Sequence, residues 1–322
     1  MTPLLTRGET LLTRLWRASA PMTGAGLLMV VVLAASLIGL AIDSRVVTGA
    51  PVWLKPAKFA VSTAIYMLTL ASIFTLLPEW PRVRRFVGWM TALVLVLEVV
   101  IIDLQAWRGT TSHFNVGTLL DGTLFTIMGL AIVIQTLTSI AVAVALWRQH
   151  FDDRALGWAL RLGMIITIIG ASTGGLMTRP TSAQLEQASA TGRLAVAGAH
   201  TVGAPDGGPG LPGTGWSLEH GDLRIPHFLG LHAMQMVPLV ALALRRRRWA
   251  ETVRVRLVLV AATSYVSLFA ILLTQALRSQ SLMQPDDATL FALTAWAILS
   301  AVVAWRVAAQ QSPVSSHATV LS

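Results

Sequence analysis

The segment GDLRIPHFLGLHAMQMVPLVALAL, residues 221–244, begins with charged residues and continues as an apolar run that is long enough to cross a bilayer. Pro226 suits the first turn of a helix, because its missing N–H would be unpaired there anyway. His232 and Gln235 interrupt the apolar run, and polar groups buried in lipid cost free energy unless they have partners. The segment therefore predicts a membrane-spanning helix that carries part of a site.

One face of this predicted helix holds Phe228, His232, Gln235 and Leu239. His227 points about 140° away from His232, at ~100° per residue. We therefore expect the two imidazoles to serve different purposes and not to bind the same metal ion.

The composition is that of a membrane protein. Hydrophobic residues make up 54% of the 322 residues and charged residues only 12%, a balance that soluble domains do not have. Cysteine is absent, so disulfides, thiolate metal sites and cysteine nucleophiles are excluded. A metal ion would need His, carboxylate or Met ligands.

The sequence predicts an all-α bundle of about eight transmembrane helices. A basic segment, 1–21, precedes a single transmembrane domain, 22–307, and a polar tail, 308–322, is expected to be disordered. A Gly/Pro-rich loop, 179–225, follows the fifth span, and residues 181–190 are expected to form a short helix within it. The predicted spans are near 22–42, 57–77, 87–106, 118–147, 159–178, 226–244, 257–278 and 288–307.

Basic residues indicate the orientation. With both termini in the cytoplasm, most of the 24 Lys and Arg residues fall at cytoplasmic helix ends, as the positive-inside rule requires. The net charge of +9 is then a signal of topology in a cell inner (plasma) membrane, and no nucleic-acid partner is expected. The basic residues assigned to the cytoplasmic side are Arg7, Arg14, Arg17, Arg82, Arg84, Arg85, Arg148, Arg154, Arg161, Arg245, Arg246, Arg247, Arg248, Arg254, Arg256 and Arg306.

The loop 179–225 is predicted to be extracytoplasmic. Its middle, GAPDGGPGLPGTGW, is too rich in Gly and Pro for a helix or a central strand. Two interpretations stay open, a flexible connector and a lid over the outer mouth of the bundle. The lid is favoured by the presence of His200, Trp216 and His220 in the loop. It is also favoured because long loops without secondary structure usually have a function.

Glu98 lies inside the apolar part of the third span, about 12 Å below its outer end, while His232 lies about 9 Å below the start of the sixth span. Carboxylates at such depth are rare and usually functional. The similar depth makes the two side chains candidate partners. The alternative is a structural hydrogen bond through which Glu98 locks two helices together.

The outer connection between the third and fourth spans collects further polar residues, among them His113 and Asp121, next to Arg108. Where the second span begins, Lys55 and Lys58 have two interpretations. They either extend to the membrane surface along their apolar stems or form a cationic clamp for an anionic group.

These residues lead to one site hypothesis. The candidate catalytic groups are His232, Glu98 and His113, and the same three with Asp121 are the candidate metal ligands. Non-haem Zn or Fe is favoured over haem, because only His232 is a clearly buried imidazole. The candidate substrate-binding residues are Lys55, Lys58, Arg108, Arg224, His227 and Gln235.

Three functions stay open. We favour a metal-assisted membrane enzyme that acts on a small anionic or lipid-like substrate at the extracytoplasmic side, because the inner halves of most spans read as almost purely apolar. A proton-coupled or anion-selective carrier would use Glu98 and His232, with the GASTGG segment at 170–175 as the expected broken helix. The third possibility is a non-catalytic sensor or assembly partner. The oligomeric state is left open.

A weak internal repeat accompanies these features. Three predicted helices that run from the outside to the inside begin with a Lys or His residue followed by Phe. An acidic residue and an arginine precede each of these dipeptides in the sequence. Either three repeated hairpins surround a common axis or the similarity is chance. The three dipeptides are Lys58-Phe59, His113-Phe114 and His227-Phe228, and the upstream pairs are Asp43 and Arg45, Asp103 and Arg108, and Asp222 and Arg224.

Overall fold

The computed structural model of the protein describes residues 9–247 and 249–310. It is 71% helical with almost no sheet, so the all-α prediction is confirmed. The helices are α1 (Leu11–Ala18), α2 (Ala20–Ile42), α3 (Leu54–Phe74), α4 (Pro81–Trp107), α5 (Leu119–Arg148), α6 (Arg154–Ser172), α7 (Gly174–Met177), α8 (Ser182–Thr191), α9 (Arg224–Leu231), α10 (Ala233–Arg245), α11 (Glu251–Leu277) and α12 (Asp287–Ala309).

Seven helical segments are long and apolar enough to cross a membrane, and α9 with α10 adds an eighth if this bent pair is one span. The protein is therefore a multi-pass membrane protein. α12 extends through Ala309, so the first residues of the predicted tail are helical. Arg7, Arg248 and the tail from residue 311 onward lie outside the described residues.

The sixth predicted span is bent. α9 and α10 meet at His232 at an angle of 45°, and the bend frees backbone groups that side chains of other helices satisfy. The hydroxyl of Thr167 accepts a hydrogen bond from the N–H of Met234 at 3.0 Å, and the hydroxyl of Tyr265 donates to the carbonyl oxygen of Leu229 at 2.6 Å. Such partners make a broken helix tolerable within a membrane.

Glycines bring α6 into direct backbone contact with the bent pair. A Cβ atom at Gly170 would lie 2.4 Å from the Cα atom of Gly230, and one at Gly163 would lie 2.8 Å from the carbonyl oxygen of Ala233. Small residues allow this approach in membrane bundles. The segment 170–175, expected to be a broken helix, contains the interruption between the end of α6 at Ser172 and the start of α7 at Gly174. The 45° bend lies in the helix pair packed against α6.

The connections α2–α3, α4–α5 and α6–α9 meet at one end of the bundle, which we call the capped end. Arg45 in the first connection donates from Nη1 to the carbonyl oxygen of Trp107, the last residue of α4, at 3.0 Å. Asn115 in the second forms a β-bridge with Val196 in the third. Two antiparallel strand pairs lie here, β1 (Val46–Val47) with β2 (Ala50–Pro51) and β3 (Thr201–Val202) with β4 (Gly221–Asp222).

Residues 178–223, which we call the cap, are folded against this end. The expected short helix forms as α8, with a capping box between Thr181 and Gln184. Gly207 lies so close to Gly49 that a Cβ atom on Gly49 would be 2.6 Å from the Gly207 carbonyl oxygen. Of the two interpretations of the loop, the structure agrees with a folded cover rather than a floppy connector.

We predict that Gly170→Ala destabilises the protein by about 1–3 kcal/mol, because the new methyl group would overpack the contact with Gly230. Gly129→Ala is the matched control, since a Cβ atom at Gly129 has no atom of another segment within 4 Å. Thermal unfolding in detergent measures both variants. A Gly170→Ala protein as stable as the Gly129→Ala protein would contradict the direct backbone contact.

Candidate functional site

Glu98 pairs with His113 inside the bundle near the capped end. Glu98 is 4% exposed, and its Oε1 atom lies 3.5 Å from Nε2 of His113. Its Oε2 atom is buried without a hydrogen-bond partner. The Nδ1 atom of His113 lies 3.1 Å from the hydroxyl oxygen of Ser112. The predicted partner at this depth was His232, but the α4–α5 connection folds back onto α4 and brings His113 to the carboxyl group instead.

Three aromatic rings surround His113. The ring centroids of Phe59, Phe114 and Phe125 lie 5.7, 6.0 and 6.4 Å from its own. Phe114 has a φ angle of 64°, a left-handed conformation that is rare for a bulky residue. Burial, and next the charge of Lys55, hold the pKa of His113 well below its usual value. The ring is therefore neutral at pH 7 and has one donor and one acceptor nitrogen.

Lys55 brings an amino group close to this pair. It lies in the first turn of α3, with Nζ 5.8 Å from the ring centroid of Phe59, and it interacts electrostatically with Glu98. Charges in apolar surroundings interact more strongly than they do in water. The described site thus combines a carboxyl group, a neutral imidazole and an ammonium group.

Lys58 and Arg224 hold the tip of the cap. Nζ of Lys58 donates to the carbonyl oxygen of Thr214 at 2.7 Å, and Nη2 of Arg224 donates to that of Gly215 at 2.6 Å. Both residues were predicted to bind substrate at the mouth of the bundle. The structure places them there, with their donors engaged by the backbone of the cap.

Two Asp-x-Arg segments have the same local geometry. In each, the arginine backbone N–H, Nε and Nη2 all donate to the aspartate, at 2.7–3.1 Å between Asp43 and Arg45 and at 2.6–3.2 Å between Asp222 and Arg224. The third predicted pair differs, because Arg108 bonds to Asp121 at 2.6 Å. The structure therefore reproduces the repeat in two of its three members.

Asp121 is fully occupied by structural contacts. It accepts hydrogen bonds from Nε2 of Gln105 at 2.9 Å, from Nη1 of Arg108 at 2.6 Å and from the hydroxyl of Thr118 at 2.7 Å. Arg108 also contacts the Gln105 side chain. These contacts join α4 to the start of α5, so Asp121 and Arg108 hold the two helices together.

His232 and His227 lie apart from the Glu98–His113 pair. The ring centroid of His232 is 4.3 Å from that of Phe228, and its side chain interacts electrostatically with that of Gln235. His227 bonds through Nδ1 to the carbonyl oxygen of Gly170 at 2.9 Å. The two imidazoles thus have separate surroundings, as the helical spacing predicted.

The four predicted metal ligands do not lie together as one cluster. Among the described residues, no group of three or more His, Asp and Glu side chains is placed to hold a metal ion. Asp121 is bonded to Arg108, and the ring of His232 packs on that of Phe228. Glu98 and His113 lie together as a pair.

A layer of uncharged polar side chains crosses the middle of the bundle. Nε2 of Gln135 donates to the hydroxyl of Tyr66 at 3.3 Å, and that hydroxyl lies 3.3 Å from Oγ of Ser139. Nε2 of Gln235 donates to the hydroxyl of Thr69 at 3.5 Å. Tyr66 and Thr69 lie past the middle of α3, so on this helix polar side chains continue beyond the half next to the cap.

The sequence carries a signal for this layer. Polar or aromatic residues recur on α3 at Lys55, Phe59, Ser62, Tyr66 and Thr69. This spacing of three and four residues marks one helical face. A count of charged residues alone does not detect this polar layer, because Ser, Thr and Tyr are uncharged and are tolerated in apolar helices.

No protein-family model matches this chain, and no curated protein and no solved structure matches it either. A function for the chain therefore rests on the geometry of the site.

A second imidazole and carboxylate pair lies in the cap. Nδ1 of His200 is 2.7 Å from Oδ2 of Asp206, and the ring of His200 packs on Phe114 with centroids 4.8 Å apart. Burial lowers the pKa of His200 although Asp206 opposes the shift. Burial also opposes ionisation of Asp206, but hydrogen bonds from His200 and from the N–H of Thr201 outweigh it and lower the pKa of Asp206.

We predict that the free energy of unfolding falls as the pH drops below about 6.5, the ordinary pKa of histidine. Because folding lowers the pKa values of His200 and His113, the unfolded chain binds more protons in that range, and the stabilising contribution is complete only above it. His200→Asn should flatten the dependence of the melting temperature on pH. His150→Asn, at an 87% exposed side chain, should not. An unchanged slope in His200→Asn would refute this assignment.

Proposed function

We propose that this protein is a proton-coupled carrier of a small anionic solute, with Glu98 and His113 as its proton site. The observation that carries the proposal is the buried carboxyl group of Glu98, which has one oxygen beside an imidazole and the other without a hydrogen-bond partner. Ionisable groups in membrane-spanning helices are usually functional and often relay protons. The proposal places the chain in the cell inner (plasma) membrane, with the capped end outside and both termini in the cytoplasm.

Two features favour a carrier over the metal-assisted enzyme. The span formed by α9 and α10 is bent at His232 near its middle, and carriers typically have discontinuous helices near the middle of the membrane. A chain of contacts also leads from the cap to the middle of the bundle. The ring of Trp216 packs on that of Phe228, which packs on that of His232. His232 interacts with Gln235, whose amide donates to the hydroxyl of Thr69. Thr69 lies about 22 Å from the start of α3, at 1.5 Å per residue. An active site at the membrane surface would not require polar contacts at that depth.

Coupling between anion and proton follows from the position of Lys55. A bound anion next to Lys55 would compete with Glu98 for the same positive charge. Anion binding therefore favours the protonated form of Glu98, and by linkage a protonated Glu98 favours the anion. His113 can pass the proton, because a neutral imidazole accepts at one nitrogen while it donates at the other.

The structure is closed at both ends of this route. At the capped end, Lys58 and Arg224 hold the cap tip over the mouth. Toward the opposite end, the fully buried side chains of Met67, Leu70 and Phe74 fill the interior beside α3. Opening to either side then requires release of the cap or movement at the α9–α10 bend, the two places where polar contacts rather than apolar packing hold the chain.

Transport in proteoliposomes tests the proposal. The vesicles contain a pH-sensitive dye and are exposed in turn to inorganic phosphate and to small monocarboxylates under an inward proton gradient. We expect proton uptake that depends on one of these anions. Glu98→Gln should abolish that uptake and keep exchange of the labelled anion across the membrane, because the substituted amide cannot take up a proton but leaves the rest of the site in place.

Glu219→Gln is the control, since Glu219 is exposed on the cap. It should transport like the unchanged protein. Proton uptake that persists in Glu98→Gln at the level of Glu219→Gln would remove Glu98 from the coupling mechanism.

One observation favours a second candidate, a membrane enzyme without a metal. Ser112, His113 and Glu98 form a hydroxyl, imidazole and carboxylate series, with 3.1 Å from Oγ to Nδ1 and 3.5 Å from Nε2 to Oε1. In such a series the imidazole can activate the hydroxyl as a nucleophile and the carboxylate orients the ring. The third class, a sensor or assembly partner, has no comparable support in residues 9–247 and 249–310.

A fluorophosphonate probe distinguishes this candidate from the carrier. A catalytic Ser112 should be labelled covalently, and Ser112→Ala and His113→Asn should both lose the label. Ser62→Ala, at an exposed serine of α3, is the control. Absence of labelling at Ser112 in the folded protein would leave the carrier as the better account.

A further inference from the structure

A basic cleft lies at the end of the bundle opposite the cap, between the end of α5 and the start of α6. It has a volume of about 280 Å³, the space of about nine water molecules at ~30 Å³ each. His150, Phe151, Arg154, Trp158 and Arg161 line it. Neither the Glu98–His113 site nor the cap includes any of these residues.

Arg161 is held in a fixed orientation in this cleft. Its Nε atom donates to the carbonyl oxygen of Leu146 at 3.0 Å, and Nη2 donates to that of Gln149 at 2.9 Å. The ring centroids of Phe151 and Trp158 lie 5.5 and 5.7 Å from its guanidinium carbon. The hydrogens of Nη1 are left for a ligand, and a guanidinium already held in place loses little entropy when it binds one.

The guanidinium of Arg154 forms no salt bridge with any residue that the structure describes. The carboxylate of Glu251 accepts a hydrogen bond from the backbone N–H of Arg154 at 3.0 Å. Asp153 lies 3.3 Å from Arg254 and 3.9 Å from Arg245. Asp152 lies 4.0 Å from His150, with both side chains mostly exposed. The cleft therefore offers two guanidinium groups and an imidazole to an anion.

An apolar stripe on α5 leads up to the cleft. Leu137, Ile140, Val144 and Trp147 are spaced three and four residues apart and are 59%, 44%, 43% and 53% exposed. In a membrane this face contacts acyl chains, and Trp147 stands where tryptophans favour the boundary between hydrocarbon and headgroups. A molecule with an anionic head in the cleft would lay its apolar tail along this stripe.

We infer that this cleft binds the headgroup of an anionic phospholipid, with the phosphate at Arg154 and Arg161 and an acyl chain along α5. Basic pockets between membrane helices bind such headgroups on the cytoplasmic side, where anionic lipids concentrate. The charge bias of the sequence independently predicts that this end is cytoplasmic. The inference does not depend on the carrier function.

Native mass spectrometry and thermal unfolding of the purified protein test the inference, with phosphatidylglycerol and phosphatidylcholine as probes. We expect phosphatidylglycerol to bind more tightly and to raise the melting temperature more. Arg154→Gln should weaken its binding about tenfold, since a charge-assisted hydrogen bond is lost. Arg306→Gln, which removes the same charge from the last turn of α12 at the same end, should keep it. Arg161→Lys should reduce the preference for phosphatidylglycerol although the charge stays.

Three results would overturn the inference. Equal binding of the two lipids would show that no anionic headgroup is recognised. Equal losses in Arg154→Gln and Arg306→Gln would reduce the effect to general surface charge. The same stabilisation by inorganic phosphate alone would make the cleft a site for a soluble anion.

Discussion

Hydrogen bonding inside an apolar solvent is the constraint on which the rest of this structure depends. A polar group within a membrane must find its partner in the protein, because lipid offers none. Tyr66 and Thr167 meet this requirement, since the hydroxyl of each bonds to other helices. Among the described residues, one carboxyl oxygen of Glu98 is buried without a partner, and so is the amide oxygen of Gln135 and of Gln235. Glu98 differs from the two amides because it is ionisable, and ionisable groups in membrane-spanning helices are usually functional.

The same constraint explains the bend and the cap. A helix can break at His232 only because Thr167 and Tyr265 replace the lost backbone partners. The cap can be rich in Gly and Pro because Lys58 and Arg224 bind its carbonyl groups. Polar contacts thus support both regions in addition to apolar packing, which includes the cluster of Phe114, Met177 and Leu223 at the capped end.

The spans could be predicted from the sequence because bilayer thickness fixes the length of an apolar run. The depth of Glu98 could be predicted for the same reason, but its partner could not. His113 reaches it only because the α4–α5 connection folds back, and this depends on contacts between residues distant in sequence. Asp121 was predicted as a metal ligand and contacts Arg108 in the structure, because a carboxylate near a helix start looks the same in sequence whichever cation it holds. Nothing local distinguishes Thr167, which supports the bend, from other threonines in apolar helices.

The proton site is tested most directly by infrared difference spectroscopy of the purified protein in lipid as the pH is changed. The account predicts a carboxylic-acid C=O band that appears and disappears with pH, is absent in Glu98→Gln and shifts in His113→Asn, because the imidazole is its neighbour. Glu219→Gln should keep the band. An identical difference spectrum for the unchanged protein and Glu98→Gln at every pH would show that Glu98 does not exchange a proton, and the central claim would fail.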